Sequence, residues 1–175
     1  MIRMLRDEDI PACLALYNWY IENSTATFET DTLLMDDFVQ RVKRITTKYP
    51  WIILEEDGEV KGYAYLDAFH ERTAYRFMCD VSIYIDHDAR GRGYGSKLME
   101  AILSLAEKDG YHKAISIVTS DNSASIHLHE KMGFRKFGQL DNCGYKAEKW
   151  LGVIYFEKVL HEPCDTPEET ENYRI

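Results

Sequence analysis

The chain has 175 residues, of which 45% are apolar, and this suits one domain with a single core. Its formal net charge is −9, so a nucleic acid would meet general repulsion. No run approaches the roughly 18 consecutive apolar residues of a membrane span, and the start "MIRMLRDEDI" lacks an apolar run followed by a cleavage site. We therefore expect a cytoplasmic protein with neither a membrane nor a nucleic acid partner.

Four cysteines are scattered along the chain without Cys-x-x-Cys pairing. This spacing favours reduced thiols over disulfides or zinc ligands, so no metal site is expected. The four are Cys13, Cys79, Cys143 and Cys164.

The first part of the chain predicts a strand, two helices and a hairpin. Asp7 or Asp9 can cap the first helix, which tolerates Pro11 in its first turn. The dipeptide Asp57-Gly58 is a strong hairpin signal between two apolar runs. The expected elements are a strand at 2–5, helices at 10–23 and 33–48, and a hairpin over 51–69.

The later part predicts a long strand, a glycine-rich turn and alternating helices and strands. The complete order β α α β β β α β α β β describes one α/β domain over residues 1–160. Residues 161–175 form an acidic tail with two prolines, typical of a loosely attached extension. The expected elements are strands at 74–85, 113–118, 134–140 and 150–160, and helices after the turn and at 123–132.

The stretch "YIDHDARGRGYGSKLMEAIL" joins the long strand to a helix through three glycines. Glycine lets the backbone approach a ligand closely, and the first amides of the helix have no internal partner. Such a turn binds anions, most often phosphate. The alternative is a turn that needs positive φ angles and binds nothing.

Three phosphate-binding patterns compete for this turn. A Walker loop needs Gly-Lys-Ser/Thr, whereas the order here is Gly95, Ser96, Lys97. A dinucleotide fingerprint needs GxGxxG near the start of a βαβ repeat, and the glycines here are spaced by two, although Asp121 lies near a later strand end. The pattern RxxGxG is satisfied by Arg90, Gly93 and Gly95. It resembles the pyrophosphate loop of the GNAT superfamily of acetyl-CoA-dependent N-acetyltransferases.

Five stretches, in order and along almost the whole chain up to Leu160, resemble the phosphinothricin and amino-acid N-acetyltransferase branch of that superfamily. The resemblance implies a single-domain GNAT-type α/β fold, with a mixed, mostly antiparallel central sheet flanked by helices. It leaves a homodimer open. The stretches are residues 17–29, 57–64, 82–98, 121–134 and 144–158.

The resemblance also implies a binding site for the co-substrate acetyl-CoA. Backbone amides of the turn would bind the pyrophosphate, with added charge from two arginines, and the preceding strand would pair with the pantetheine arm as an extra strand would. Asn122 would contact the cofactor, a role compatible with capping the next helix. The other implied residues are Ile83, Tyr84, Ile85, Arg90, Gly91, Arg92, Gly93, Tyr94, Gly95 and Ser96.

Two residues are implied in the chemistry. Asp80 matches a glutamate proposed as the general base, and because Asp is one methylene shorter, a relaying water becomes plausible. The structural alternative is a solvated strand residue. His129, seven residues after Asn122, would donate a proton to the departing thiolate, with a packed or exposed helix histidine as the alternative.

Arg76, with Tyr75 and Phe77, matches the segment that contacts the substrate in this branch. A guanidinium suits a carboxylate or phosphinate because it donates two hydrogen bonds at once, and the alternative is an exposed strand arginine. Where the branch has KFGxWxD, this chain has "KAEKWLG" at 146–152. This departure bears on the identity of the substrate more than on acyl transfer.

The expected function is direct transfer of acetyl to the amino group of a small amino-acid-like molecule, such as phosphinothricin, methionine sulfone or methionine sulfoximine. Cys79 lacks an activating histidine or helix start and is expected to pack rather than to act as a nucleophile. The alternatives are acetylation of a protein or peptide amine, a non-catalytic acyl-CoA-binding module and a dinucleotide-binding domain.

Overall fold

The computed structural model describes residues 1–170, whose seven strands form one sheet. The strands are β1 (Ile2–Met4), β2 (Trp51–Glu56), β3 (Glu59–Ala68), β4 (Met78–Ile85), β5 (Lys113–Thr119), β6 (Arg135–Lys146) and β7 (Lys149–Val159). Their order across the sheet is β1-β2-β3-β4-β5-β7-β6. The pair β4–β5 is parallel and the other neighbours are antiparallel, which confirms the expected mixed, mostly antiparallel sheet.

Helices cover both faces of the sheet. They are α1 (Ile10–Asn23), α2 (Met35–Thr46), α3 (Tyr94–Lys108) and α4 (Ser123–Lys131). The first has the predicted bounds, and the second is two residues shorter at each end than predicted. Aromatic contacts place α1 and α2 on one face, where a stacked and edge-packed cluster forms much of the core. Its members are Tyr17, Tyr20, Phe38, Trp51, Tyr63, Tyr65 and Tyr84.

The strand predicted over 74–85 begins four residues late. Thr73–Tyr75 forms a 3-10 turn instead, and Arg76 follows it in helical conformation. The partner strand β3 ends at Ala68, which pairs with Cys79, so residues before Met78 have no ladder on that side. On the other side, the carbonyl of Phe77 accepts hydrogen bonds from the amides of His112 and Lys113.

The most consequential feature of the sheet is an opening between its two parallel strands. β4 and β5 are paired only through Met78–Asp80, although both strands continue. Just beyond the last pair, the Ser116 hydroxyl donates to the Val81 carbonyl at 2.9 Å. From Ile83 onward, one edge of β4 therefore has no neighbouring strand in the middle of the sheet.

The acidic extension lies along the described part of the fold as far as Thr170. Glu169 accepts two hydrogen bonds from the guanidinium of Arg76, at 2.7 and 2.9 Å, and Thr170 is buried beside Gly110. Residue 171, the last acidic residue of the predicted tail, lies outside the described residues. Within residues 1–170 no helix is both long and apolar enough to cross a bilayer.

Candidate active site

The glycine turn leaves open space in front of helix α3. Gly91 and Gly93 have φ angles of +79° and +77°, and Gly93 immediately precedes the helix. A Cβ added at either glycine would meet no atom within 4 Å. The amides of the first helical turn, including those of Tyr94 and Ser96, have no intrahelical acceptor and carry the positive end of the helix dipole. The turn therefore has the open space and the outward amides that a pyrophosphate site needs.

A third glycine and a lysine tie helix α4 to this turn. A Cβ at Gly95 would lie 3.2 Å from Cδ2 of Leu128, so this glycine permits the close approach of α4. Lys131, near the end of α4, donates to the Ser96 hydroxyl at 3.3 Å. Lys131 thus brings a positive charge to the glycine turn. Sequence reasoning missed this residue, because nothing local links α4 to the start of α3.

The two arginines of the turn are held by neighbouring side chains. Arg90 lies over the ring of Trp19, with its Cζ 5.1 Å from the ring centroid. Arg92 donates to Glu56 at 3.3 Å. Both guanidiniums therefore add positive charge near the turn while they contact α1 and β2, and the backbone amides remain the groups that point into its open space.

The backbone of Tyr84, which was predicted to pair with the pantetheine arm, faces the neighbouring strand β3 instead. The amide of Asp86 donates a hydrogen bond to the backbone carbonyl of Lys61 in β3. Because alternate residues of a strand turn their backbone groups to opposite sides, Tyr84 also faces β3, where it pairs with Tyr63. The backbone groups of Ile83 and Ile85 face the opening. The Ile85 carbonyl already accepts a hydrogen bond from the hydroxyl of Tyr20 at 2.8 Å. The groups available to an extended ligand are the amide and carbonyl of Ile83 and the amide of Ile85.

Asp80 stands where the opening begins. It is the last β4 residue paired with β5, and on the other side it lies opposite Asp67 of β3. Its carboxylate makes no hydrogen bond or ion pair with another of residues 1–170. Burial, and secondarily the negative charge of Asp67, raise the pKa of Asp80 to about 7. A carboxylate with this pKa can accept a proton at neutral pH.

His129 is packed inside the domain. Its ring stacks on Phe156 and meets Phe134 edge-on, and its Nδ1 lies 2.7 Å from the Ser125 carbonyl, so Nδ1 carries the proton and donates it. Burial lowers the pKa of the imidazole. A neutral ring with its one N–H bound to a carbonyl is poorly suited to give a proton to a thiolate. The geometry favours the packing interpretation over the predicted acid.

Asn122 caps helix α4. Its side-chain oxygen accepts a hydrogen bond from the amide of Ser125 at 3.1 Å. This is the structural role that the sequence suggested, and it orients the first turn of α4 toward the same end of the sheet as the glycine turn.

The predicted substrate segment, residues 75–77, lies immediately before β4. Tyr75 is exposed and contacts the rings of Phe69 and His70. Arg76 lies over the ring of Phe77, with 4.4 Å between its Cζ and the ring centroid, while its fork holds Glu169. The Arg76 guanidinium thus binds a carboxylate through two hydrogen bonds, and in this structure the carboxylate is that of Glu169 in the same chain.

Asp80→Asn is expected to stabilise the folded protein. The pKa of Asp80 in the folded chain lies above the ordinary value of about 3.9, so the folded state holds this proton more tightly than the unfolded state, and the stability contributed is lost as pH rises toward 7. We expect Asn to raise the free energy of unfolding at pH 8 by on the order of 2 to 4 kcal/mol, with a clearly smaller gain at pH 5. Urea unfolding at both pH values measures this, and equal gains at both would contradict it.

Comparison with known proteins gives a consistent result. The chain is 34% identical over 164 residues to a phosphinothricin N-acetyltransferase of Alcaligenes faecalis, with 91% of this chain and 82% of that protein covered. Its fold matches a GNAT superfamily phosphinothricin acetyltransferase of Sinorhizobium meliloti in complex with AcCoA, at a TM-score of 0.91 and 32% identity, over 98% of this chain and 93% of that one.

A ribosomal-protein-alanine N-acetyltransferase of Brucella melitensis also matches, at a TM-score of 0.88 and 30% identity, with 91% of this chain and 99% of that one covered. Residues 13–134 match the model of the acetyltransferase (GNAT) family. These findings confirm the resemblance seen in the sequence and support acetyl-CoA as the co-substrate. The chain belongs to the acetyltransferase (GNAT) family.

Proposed function

We propose that this chain transfers acetyl from acetyl-CoA directly to the amino group of a small amino-acid-like molecule. The observation that carries the proposal is the opening between β4 and β5. The glycine turn lies just beyond its far end, the free backbone groups of Ile83 lie along it, and Asp80 lies where it begins. Co-substrate and amine would then meet next to a carboxylate that can accept a proton.

The cofactor half of the site would work through the backbone. Acetyl-CoA supplies an activated acetyl group as a thioester. The amides of the turn before and at the start of α3 would hold its pyrophosphate, with Lys131 as a nearby cation. The amides of Ile83 and Ile85 point into the opening, where a donor can stabilise negative charge that develops on a carbonyl oxygen.

Asp80 would act as the general base. A primary amine attacks a thioester only in its neutral form, and free amino acids are mostly protonated at neutral pH. Because the carboxylate of Asp80 has no competing hydrogen-bond partner among residues 1–170 and its pKa is raised to about 7, it can take the amine proton directly or through a water.

Direct transfer needs no covalent acetyl-enzyme. Cys79, the cysteine nearest to Asp80 in sequence, is fully buried, and burial raises the pKa of its thiol far above neutrality. It therefore stays a thiol and packs in the core. With His129 packed as well, the coenzyme thiolate would leave unassisted, which for a thiol pKa near 8.5 costs about 2 kcal/mol at pH 7.

The substrate would be anionic apart from its amine, as phosphinothricin and methionine sulfone are. Arg76 is the residue that supports this part of the proposal, because its guanidinium fork already holds the carboxylate of Glu169 in two hydrogen bonds. A substrate carboxylate or phosphinate would take the place of Glu169. Binding of the amine would then release this contact of the tail.

A protein amine is the second candidate substrate. The Brucella melitensis neighbour is a ribosomal-protein-alanine N-acetyltransferase, and a net charge of −9 on this chain would attract basic peptides. The two candidates differ in what they need from Arg76. A short basic peptide offers no carboxylate near its amino terminus, whereas an amino acid offers one next to its amine.

The glycine turn can be tested with a matched pair of variants. Gly93 and Gly58 have φ angles of +77° and +79°, and a Cβ at either meets no atom within 4 Å. Gly93→Ala and Gly58→Ala should therefore lose similar stability, about 1 to 2 kcal/mol, from the left-handed backbone alone. Only Gly93→Ala would also place a methyl group where the pyrophosphate must approach. We expect its Kd for CoA to rise at least about tenfold.

Calorimetric titration with CoA, at a temperature where both variants are folded, gives this comparison. The Gly58→Ala variant controls for strain, since its hairpin lies outside the proposed site. Wild-type affinity in Gly93→Ala, or equal weakening in both variants, would overturn the assignment of this turn to the cofactor.

A further inference from the structure

Two aspartates face each other across strands β3 and β4. Asp67 and Asp80 are direct partners in the antiparallel register. Side chains of such partners point to the same face, with Cβ atoms about 5 Å apart, and like charges in this position destabilise a sheet. A second carboxylate directly opposite the proposed base is therefore an unfavourable arrangement unless something offsets it.

Helix α2 supplies the offset, but to one aspartate only. Arg44 donates two hydrogen bonds to Asp67, at 3.1 and 2.8 Å, one to each carboxylate oxygen. The amide of Ala68 donates to the same carboxylate at 2.8 Å. Asp67 thus accepts three hydrogen bonds, whereas Asp80 makes no such bond with any other of residues 1–170. The two aspartates share one face and differ in every hydrogen bond.

We propose that Asp67 and Arg44 are positioning residues that set the basicity of Asp80. Asp67 places a carboxylate beside the base and raises its affinity for a proton, while the positive charge of Arg44 partly offsets that carboxylate and limits the size of the effect. The inference rests on the role of Asp80 proposed above. The pair would adjust the proton affinity of Asp80, which is one methylene shorter than the glutamate of the related branch.

Other charged or titratable groups on this face are either paired or aromatic. Arg41 of α2 is paired with Glu29, and Lys113 of β5 with Glu157 of β7. After burial, the negative charge of Asp67 is the cause that raises the pKa of Asp80. The charged and titratable side chains on this face of the sheet and on the helices packed against it include Tyr17, Arg41, Arg44, Tyr65, Asp67, Lys113 and Glu157.

Opposite shifts in two variants test the proposal. Asp67→Asn removes the negative charge, so the pKa of Asp80 should fall by about one unit, while Arg44→Gln removes the offsetting positive charge, so it should rise by about half a unit. The acid limb of log kcat/KM should move by the same amounts in the same directions. Carbon-13 NMR titration of the Asp80 carboxyl reads the pKa without any use of activity.

Arg6→Gln is the matched control. Arg6 and Arg44 are similarly exposed, at 59% and 61%, and each pairs with one carboxylate, so both variants change the net charge equally. The control should leave the titration of Asp80 in place. Shifts of the same sign in Asp67→Asn and Arg44→Gln, or none, would overturn the inference. If the NMR pKa moves as expected while the pH dependence of kcat/KM does not, the proposed role of Asp80 as base fails instead.

Discussion

Asp80→Asn is expected to lower kcat by about 100-fold or more between pH 7 and pH 9, the usual size of a lost general base. In this range the wild-type carboxylate is ionised, since its pKa is about 7, while the amine of a free amino acid is still largely protonated. Below pH 7 the wild type loses its own base, and at higher pH the amine needs none. The ratio of wild-type to variant kcat should therefore be largest inside this window.

The measurement is kcat at saturating acetyl-CoA and amine from pH 6 to pH 10. Asn keeps the size of the side chain, and the unfolding experiment above shows whether the variant is folded. Asp80→Glu, which restores the residue of the related branch, should retain activity. A ratio that stays constant across the whole range would remove Asp80 from the role of base.

Arg76→Ala is expected to raise the KM for an anionic amino-acid substrate and to leave the KM for acetyl-CoA nearly unchanged. The loss should be that of a charged hydrogen-bonded pair, roughly 1.5 to 3 kcal/mol or about 10- to 150-fold in kcat/KM. Arg76→Lys should rescue only part of the loss, because a lysine lacks the two-pronged donor.

Glu169 makes the test of Arg76 sharper. If the tail carboxylate occupies the place of the substrate carboxylate, Glu169→Gln should lower the KM for the anionic substrate in the wild type. The same substitution should have no effect once Arg76 is alanine. Decarboxylated analogues should be poor substrates for the wild type and lose little more in Arg76→Ala. Equal losses for carboxylated and decarboxylated amines would show that Arg76 only anchors the tail.

Elements with strong local signals could be predicted from the sequence. Helix α1 has its predicted bounds, and Asp57-Gly58 forms the expected turn with both residues at positive φ. The hairpin of β6 and β7 is longer than predicted because its turn residues, Ala147 and Glu148, also adopt positive φ without being Gly or Asn. No local rule predicts that conformation for these residues, and pairing along the two long strands imposes it.

Parts of the candidate site could also be predicted from the sequence, and parts could not. The glycine turn was predictable because its chemistry lies in consecutive residues. The relation of Asp80 to Asp67 was not predictable, because β3 and β4 are joined by nine residues rather than by a two-residue hairpin turn, so the register between them is set by packing. The burial of His129 against Phe156 also depends on contacts between distant elements, which spacing along one helix does not reveal.

Thiol release from acetyl-CoA in the presence of candidate amines, with mass spectrometry of the products, tests the proposed acetyl transfer. The panel is phosphinothricin, methionine sulfone, methionine sulfoximine, the common amino acids, and peptides beginning with alanine. We expect saturable release with at least one small anionic amine, an N-acetylated product, and loss of both in Asp80→Asn. CoA binding without transfer to any small amine, or transfer to peptides alone, would contradict it.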